Sequence, residues 1–348
     1  MDAKQRILAL MKGGRWMSSS RLCGRLSVSR QAINRQLKVL IREGLVEKQG
    51  STRAARYRLA GEGESHRVAL SMDRRLPLGG LQEDAVFAEV SLRLNLERQL
   101  SEKPFHISRY AFTEILNNAI EHSESEHAVV QAEVDQYDLR FRIRDTGIGI
   151  FQSILTKFRL PDEIAALGEL LKGKTTTMRS RHSGEGIFFT SKAADRISFR
   201  SHRTTLVFDN LKQDILVQED RFIRGTDVRF AISRRSRRDL SRVFSDFAPE
   251  EFDYRFERTR VLVRVMLTDC VSRSEAKRLL HALNRFREII LDFSGVQTLG
   301  QGFADEVFRV FLRAHPRITV RVKNLRPPLV AMVRHVADAS SMDRLSVD

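Results

Sequence analysis

Glu114, Asn118 and Glu121 recur at helical spacing in Glu-Ile-Leu-Asn-Asn-Ala-Ile-Glu-His, residues 114–122, so carboxylate and amide project from one helix face a turn apart. A carboxylate can take a proton from an attacking hydroxyl or water. An amide oxygen is a hard, neutral ligand suited to a magnesium ion that keeps its waters and bridges phosphates. Further along, Asp145-Thr-Gly147-Ile-Gly149 pairs an acceptor-only carboxylate with two glycines that let a flat ring approach the backbone. That carboxylate suits the exocyclic amine of adenine. A third cluster, Ser183-Gly184-Glu-Gly186, follows the basic run Lys172-Gly-Lys174-Thr175-Thr176-Thr177-Met-Arg179. A glycine turn before a helix start offers free N–H groups to phosphate, and the lysines, arginine and threonines add charge and donors.

These groups need elements to hold them. Phe112, Ile115, Leu116, Ala119 and Ile120 form the apolar stripe of an amphipathic helix. Leu139, Phe141 and Ile143 alternate with Arg140, Arg142 and Arg144, the pattern of a half-buried strand that delivers Asp145 at its end. Residues 187–194 are predicted to open a helix behind the third cluster. Each cluster alone could be a solvated helix face, a plain turn or a basic loop. Together they describe a nucleotide site.

Their order and content resemble the GHKL ATP-binding fold shared by histidine kinases, gyrase, Hsp90 and the anti-sigma-factor serine kinases. The resemblance implies Glu114 as general base and Asn118 as magnesium ligand. It implies Asp145 as the adenine contact, with Gly147 and Gly149 in the same box. Residues 152–182, with Thr175, Thr176 and Thr177, would be a lid over the phosphates, and Gly184 and Gly186 the second glycine box. The Glu-x-x-x-Asn-Ala-x-x-His form is closer to the anti-sigma kinases than to sensor kinases. The second box departs from the sensor kinases' pattern by reading Gly-Glu-Gly.

The chain of 348 residues has room for two or three domains, and its 30% charged and 42% hydrophobic residues fit a soluble globular protein. No apolar run approaches the roughly 18 residues of a membrane span. Two distant cysteines suit a reducing cytoplasm and make no zinc pattern. The formal net charge is +16, and residues 1–60 hold 14 Lys and Arg against 3 Asp and Glu. So basic an end points to a polyanion. Three short helices, the third capped by Ser29, and strands near 45–48 and 56–59 resemble the winged helix-turn-helix of bacterial transcription regulators. The third helix would present Arg30, Gln31, Asn34, Arg35 and Lys38 to double-stranded DNA, and the hairpin Arg53 and Arg56. One winged helix has a modest footprint, so a homodimer on a two-fold site is expected.

At the other end, strands and helices alternate from residue 259, with a capping box predicted at Ser272-Arg-Ser-Glu275. Leu291-Asp-Phe-Ser-Gly-Val-Gln-Thr-Leu-Gly300-Gln301-Gly302 resembles the STAS domain of anti-anti-sigma factors, and more closely a STAS-like domain found C-terminal to such ATP-binding modules. Where those factors carry a phosphate-accepting serine, this chain has Gly300-Gln301-Gly302, so the resemblance implies a docking or self-association surface for a protein partner.

The expected fold class is therefore α+β and α/β multidomain. It comprises a winged helix over 1–60, a linker over 61–80, a GHKL sandwich over 81–233, a linker over 234–258 and a STAS-like domain over 259–348. Strands at 128–134, 196–201, 204–209 and 226–232 should make the central sheet. The leading expectation is a DNA-binding regulator in which ATP and Mg2+ in the central domain control DNA or partner binding, without membrane attachment. The alternative is a serine/threonine protein kinase of the anti-sigma type acting on a partner through Glu114. Slow ATP hydrolysis fits either.

Overall fold

The alternation of apolar residues with arginine from 138 to 145 produces the strand it predicts, with Leu139, Phe141 and Ile143 all buried. The computed structural model describes residues 3–11, 16–42, 45–50, 55–59, 70–173, 185–253, 255–267, 270–337 and 342–348. Met1–Ala69 and Leu70–Asp348 are separate compact units.

In the first unit, helices α1 (Ala3–Met11), α2 (Ser19–Leu26) and α3 (Arg30–Arg42) close over a core of Ile7, Leu22, Ile33, Leu37 and Leu40. Ser18 caps α2 by accepting the Arg21 N–H at 3.2 Å, and Ser29 caps α3 by accepting that of Ala32 at 3.3 Å. Strand β1 (Met17–Ser18), which the sequence pattern does not signal, joins β2 (Val46–Gln49) and β3 (Arg56–Leu59) in the order β1-β3-β2.

The second unit opens with strand β4 (Leu70–Pro77), where the sequence suggested a linker over 61–80. Only Met72 and Leu76 of this strand are buried, so as a sheet edge it carries little apolar signal. Helices α4 (Glu83–Leu94), α5 (Leu96–Gln99) and α6 (Glu102–His122) follow, then β5 (His127–Val134), β6 (Asp138–Asp145), α7 (Ile150–Phe158), α8 (Glu163–Lys172), α9 (Gly186–Ala193), β7 (Arg196–Asp209) and β8 (Asp214–Ser233). The sheet is antiparallel throughout, in the order β4-β5-β6-β8-β7, with helices on one face. The two strands expected at 196–201 and 204–209 are one strand with a bulge between Ser201 and Thr204. The strand expected at 226–232 starts at Asp214, because β7 and β8 stay paired as a two-stranded arm as far as Asp209 and Asp214. The region expected to be a lid, 152–182, is α7 and α8 in its described part, and α8 is buried from Ala166 onward.

The second expected linker, 234–258, contains helix α10 (Leu240–Phe247). Its Phe244 and Phe247 pack on Phe189 and Phe188, with ring centroids 4.4 and 4.9 Å apart. Beyond it lie β9 (Arg258–Leu262), α11 (Val263–Met266), α12 (Arg273–Leu280), β10 (Glu288–Asp292) and α13 (Gln301–Asp305). A π-helical turn, Glu306–Phe311, continues α13 into α14 (Leu312–Ala314), before β11 (Thr319–Lys323), α15 (Pro327–Val336) and β12 (Leu345–Val347). The chain thus passes directly from strand to helix after Leu262. These strands form a parallel sheet, β12-β11-β10-β9. The predicted capping box forms at α12, with Ser272 accepting the Glu275 N–H and Glu275 accepting that of Ser272.

Candidate nucleotide site

Helix α6 buries Phe112, Ile115, Leu116 and Ala119 under the sheet, which turns Glu114, Asn118 and Glu121 into a cavity of about 340 Å³. The Asn118 side-chain amide donates to the Glu114 carbonyl at 2.7 Å. That bond ties the amide nitrogen back to the helix and leaves the amide oxygen to a ligand.

Asp145, at the end of β6, lines the same cavity and is 5% exposed. Its Oδ1 accepts the N–H groups of Gly147 at 3.0 Å and Thr226 at 3.2 Å. Burial pushes the Asp145 carboxyl above the usual carboxylate range, and those two N–H groups oppose the rise. The turn is pressed between two backbones. A Cβ on Gly147 would overlap the Ser123 carbonyl oxygen, which already accepts the Ile148 N–H at 2.8 Å. Gly225, at φ +77°, lies so close beneath Asp145 that a Cβ there would come 2.6 Å from Oδ1. Gly149, at φ +85°, caps α7, and the Ile150 N–H donates to Thr226 Oγ1 at 2.9 Å.

On the opposite wall α9 begins at Gly186, where a Cβ would overlap the Glu114 carboxylate. The second glycine box thus lets the first turn of this helix approach the candidate base. Tyr110, one turn before Glu114, lines the cavity, and burial followed by the charges of Glu114 and Glu185 raises its phenol pKa. Its ring meets Phe244 edge-on, with centroids 5.6 Å apart.

The structure therefore brings Glu114, Asn118, Asp145, Gly149 and Gly186 to one cavity, with Gly147 holding the turn behind it. Thr175, Thr176, Thr177 and Gly184 lie outside the described residues, as does Arg53 of the wing. Arg30, Gln31, Asn34, Arg35 and Lys38 are exposed on α3 and Arg56 on β3, all in the first unit. Sequence reasoning missed Gly225, Thr226, Tyr110 and Phe244. A glycine inside a strand pattern signals close backbone approach, and Arg-Gly225-Thr226 offered that signal.

Residues 86–209 match the family model of the histidine kinase-like ATPase domain. Residues 6–56 match that of the MarR family, and residues 275–329 that of the STAS-like domain of unknown function (DUF4325). The chain joins a winged helix, a histidine kinase-like ATPase domain and a STAS-like domain. No curated protein matches it. Among the described residues, no helix is long and apolar enough to cross a membrane.

Within the second unit the ATPase and STAS-like domains are fastened at both sides of residues 174–184. Before that run, Lys172 Nζ donates to the His281 carbonyl at 2.6 Å, and Thr259 Oγ1 donates to the Lys172 carbonyl at 2.8 Å. After it, Phe188 and Phe189 of α9 join the STAS-like core, 4.7 and 5.2 Å from the Phe256 ring. In the STAS-like domain, Gly300 starts α13 where a Cβ would overlap the Val271 carbonyl. Close backbone approach accounts for a glycine at the place where the anti-anti-sigma factors carry a hydroxyl.

Proposed function

We propose that this protein is an ATP-binding transcription regulator in which Mg-ATP in the ATPase domain controls the hold of the winged helix on double-stranded DNA, or of the STAS-like domain on a protein partner. The observation that carries this reading is the cavity shared by Glu114, Asn118, Asp145 and the glycine turns. Asp145 Oδ2 would accept from the adenine amine, since Oδ1 is held by two N–H groups. The lining has a marked charge imbalance. Glu114, Glu121, Asp145 and Glu185 face Lys157 as the lining lysine or arginine among the described residues. A triphosphate enters such surroundings with a divalent cation, and Asn118 presents a neutral oxygen to hold one. Bound magnesium would supply charge neutralisation at the phosphates. Glu114, against the first turn of α9, would accept a proton from a water or hydroxyl nucleophile.

The fastening of α8 and α9 to the STAS-like domain supports control rather than mere occupancy, because any rearrangement around the phosphates pulls on elements embedded in that domain. The ligand shifts DNA affinity only by its differential affinity for the two arrangements. A gel shift at fixed salt with and without Mg-ATP tests this. Couplings of about 1–3 kcal/mol, roughly 5- to 150-fold in affinity, are expected. Superimposable curves would remove the coupling. The chain is expected to bind DNA as a homodimer on a two-fold-related site.

A further inference from the structure

The sheet face turned away from the helices carries no covering element among the described residues, and it has an unusual charge pattern. Its outward positions fall in rows across the five strands. One row reads Arg75, Val129, Arg144, Asp227, Arg200 from β4 to β7. The next reads Asp73, Gln131, Arg142, Arg229, Ser198, and the third Ser71, Glu133, Arg140, Ala231, Arg196. Sheet surfaces normally set opposite charges across neighbouring strands, and like charges directly opposite are destabilising. Here Arg142 faces Arg229, and both draw on the single Asp227 carboxylate, at 2.7 and 3.1 Å. Arg140 is neutralised by Glu133, Asp135 and Asp138. Arg75, Arg144 and Arg196 have no carboxylate partner among the described residues, and the buried Nε of Arg144 has no hydrogen-bond acceptor there.

The face is also shaped. A trough of about 780 Å³ has Arg140, Arg142, Arg196 and Arg229 along it, and Thr205 and Gln218 of the β7–β8 arm beside them. A second copy of the same positive face would be repelled. Spread guanidinium groups in excess over carboxylates match a repeating anion that accepts planar, two-pronged hydrogen bonds.

We infer that this sheet face is a second, sequence-independent contact for the phosphate backbone of duplex DNA. The choice of DNA among polyanions rests on the DNA reading of the winged helix, whose stretch of the chain holds 14 Lys and Arg against 3 Asp and Glu. The ATP site plays no part in it. Phosphate contacts of this kind fix orientation and add affinity without reading bases.

The test uses the full chain and a labelled random-sequence duplex, with affinity measured between about 50 and 200 mM salt. In the variant R75Q/R196Q/R229Q the slope of log K against log salt should shrink by about 0.9 for each phosphate that is no longer neutralised, and so by about 2–3 in all. Affinity at the lowest salt should fall tenfold or more. Lysine at the same three positions should restore most of the slope, since charge is kept. The winged-helix variant R35A/K38A should lose its own share independently. An unchanged slope in the sheet-face variant overturns the inference and leaves the winged-helix reading standing. A wild-type chain indifferent to duplex at low salt removes both. If the sheet-face variant keeps duplex binding but loses binding to labelled polyglutamate, the face serves an acidic protein instead and the inference falls.

Discussion

Replacing Glu169 with alanine should destabilise the ATPase and STAS-like unit by about 3–5 kcal/mol, because it strands a buried lysine. Glu169 is 2% exposed and Lys172, one turn later on α8, is 3% exposed, with Nζ 3.3 Å from Glu169 Oε1. From the STAS-like domain His281 Nδ1 lies 3.2 Å from the same oxygen, and Arg285 Nη1 3.5 Å from Oε2. Burial lowers the Lys172 pKa, and Glu169 is what resists the fall. A lysine whose folded pKa sits below its unfolded value costs stability while it must stay protonated, so stability recovers as pH rises towards the unfolded pKa. Without Glu169 the Lys172 pKa falls further. The deficit of Glu169→Ala should therefore be large at pH 7 and smaller in alkaline buffer. Urea unfolding across that range checks it. The double variant Glu169→Leu with Lys172→Met removes both charges and should return to within about 1.5 kcal/mol of wild type. If α8 carries the signal between domains, that double variant should still bind ATP while its DNA affinity no longer responds to it. A loss below about 1 kcal/mol for Glu169→Ala would mean that water reaches the cluster and that the joint is soft.

The second large effect concerns a single added methyl group. Gly147→Ala drives a Cβ into the Ser123 carbonyl, a backbone atom that cannot swing aside. Ser123 caps the end of α6, and its side chain is tied back to the Ala119 carbonyl at 2.5 Å. Relief requires the end of α6, with Asn118 and Glu121, to part from the turn that holds Asp145. ATP affinity should drop by two orders of magnitude or more, about 3 kcal/mol, with a stability loss of about 2–4 kcal/mol. Gly79→Ala is the control. A Cβ there meets nothing within 4 Å, and its effect should stay within about 0.5 kcal/mol. Equal behaviour of the two variants would show that the α6 end and the Asp145 turn are not in the contact described.

Much of this site was legible because local pattern and tertiary role agree. Helical spacing put Glu114 and Asn118 on the face that the core leaves free, and the Arg-alternating strand had to end at Asp145. What escaped was decided by tertiary contacts that leave little trace in one chain. Strand β4 buries only Met72 and Leu76 among charged neighbours, so its sequence reads as a connection. Helix α10 shows Leu240, Val243, Phe244 and Phe247 at helical spacing, but the preceding basic run, Ser233-Arg-Arg-Ser-Arg-Arg238, has the composition of a linker. Phe244 lines the cavity only because α10 packs on α9, a contact that spacing does not encode. The need for glycine at 225 comes from Asp145, a residue 80 positions earlier in the chain, and the need at 300 from the Val271 backbone.

Calorimetry of Mg-ATP on wild type and Asp145→Asn tests whether an adenine nucleotide is held through Asp145. Asparagine keeps an oxygen for the Gly147 and Thr226 N–H groups but puts a donor where adenine offers one of its own. Wild type should bind one nucleotide per chain, and its affinity should weaken as pH falls into the raised range of the Asp145 carboxyl. Asp145→Asn should lose tenfold or more in affinity, about 1.4 kcal/mol, and the pH dependence with it. Equal affinity in the two proteins, with the same response to pH, would mean that Asp145 does not hold the nucleotide.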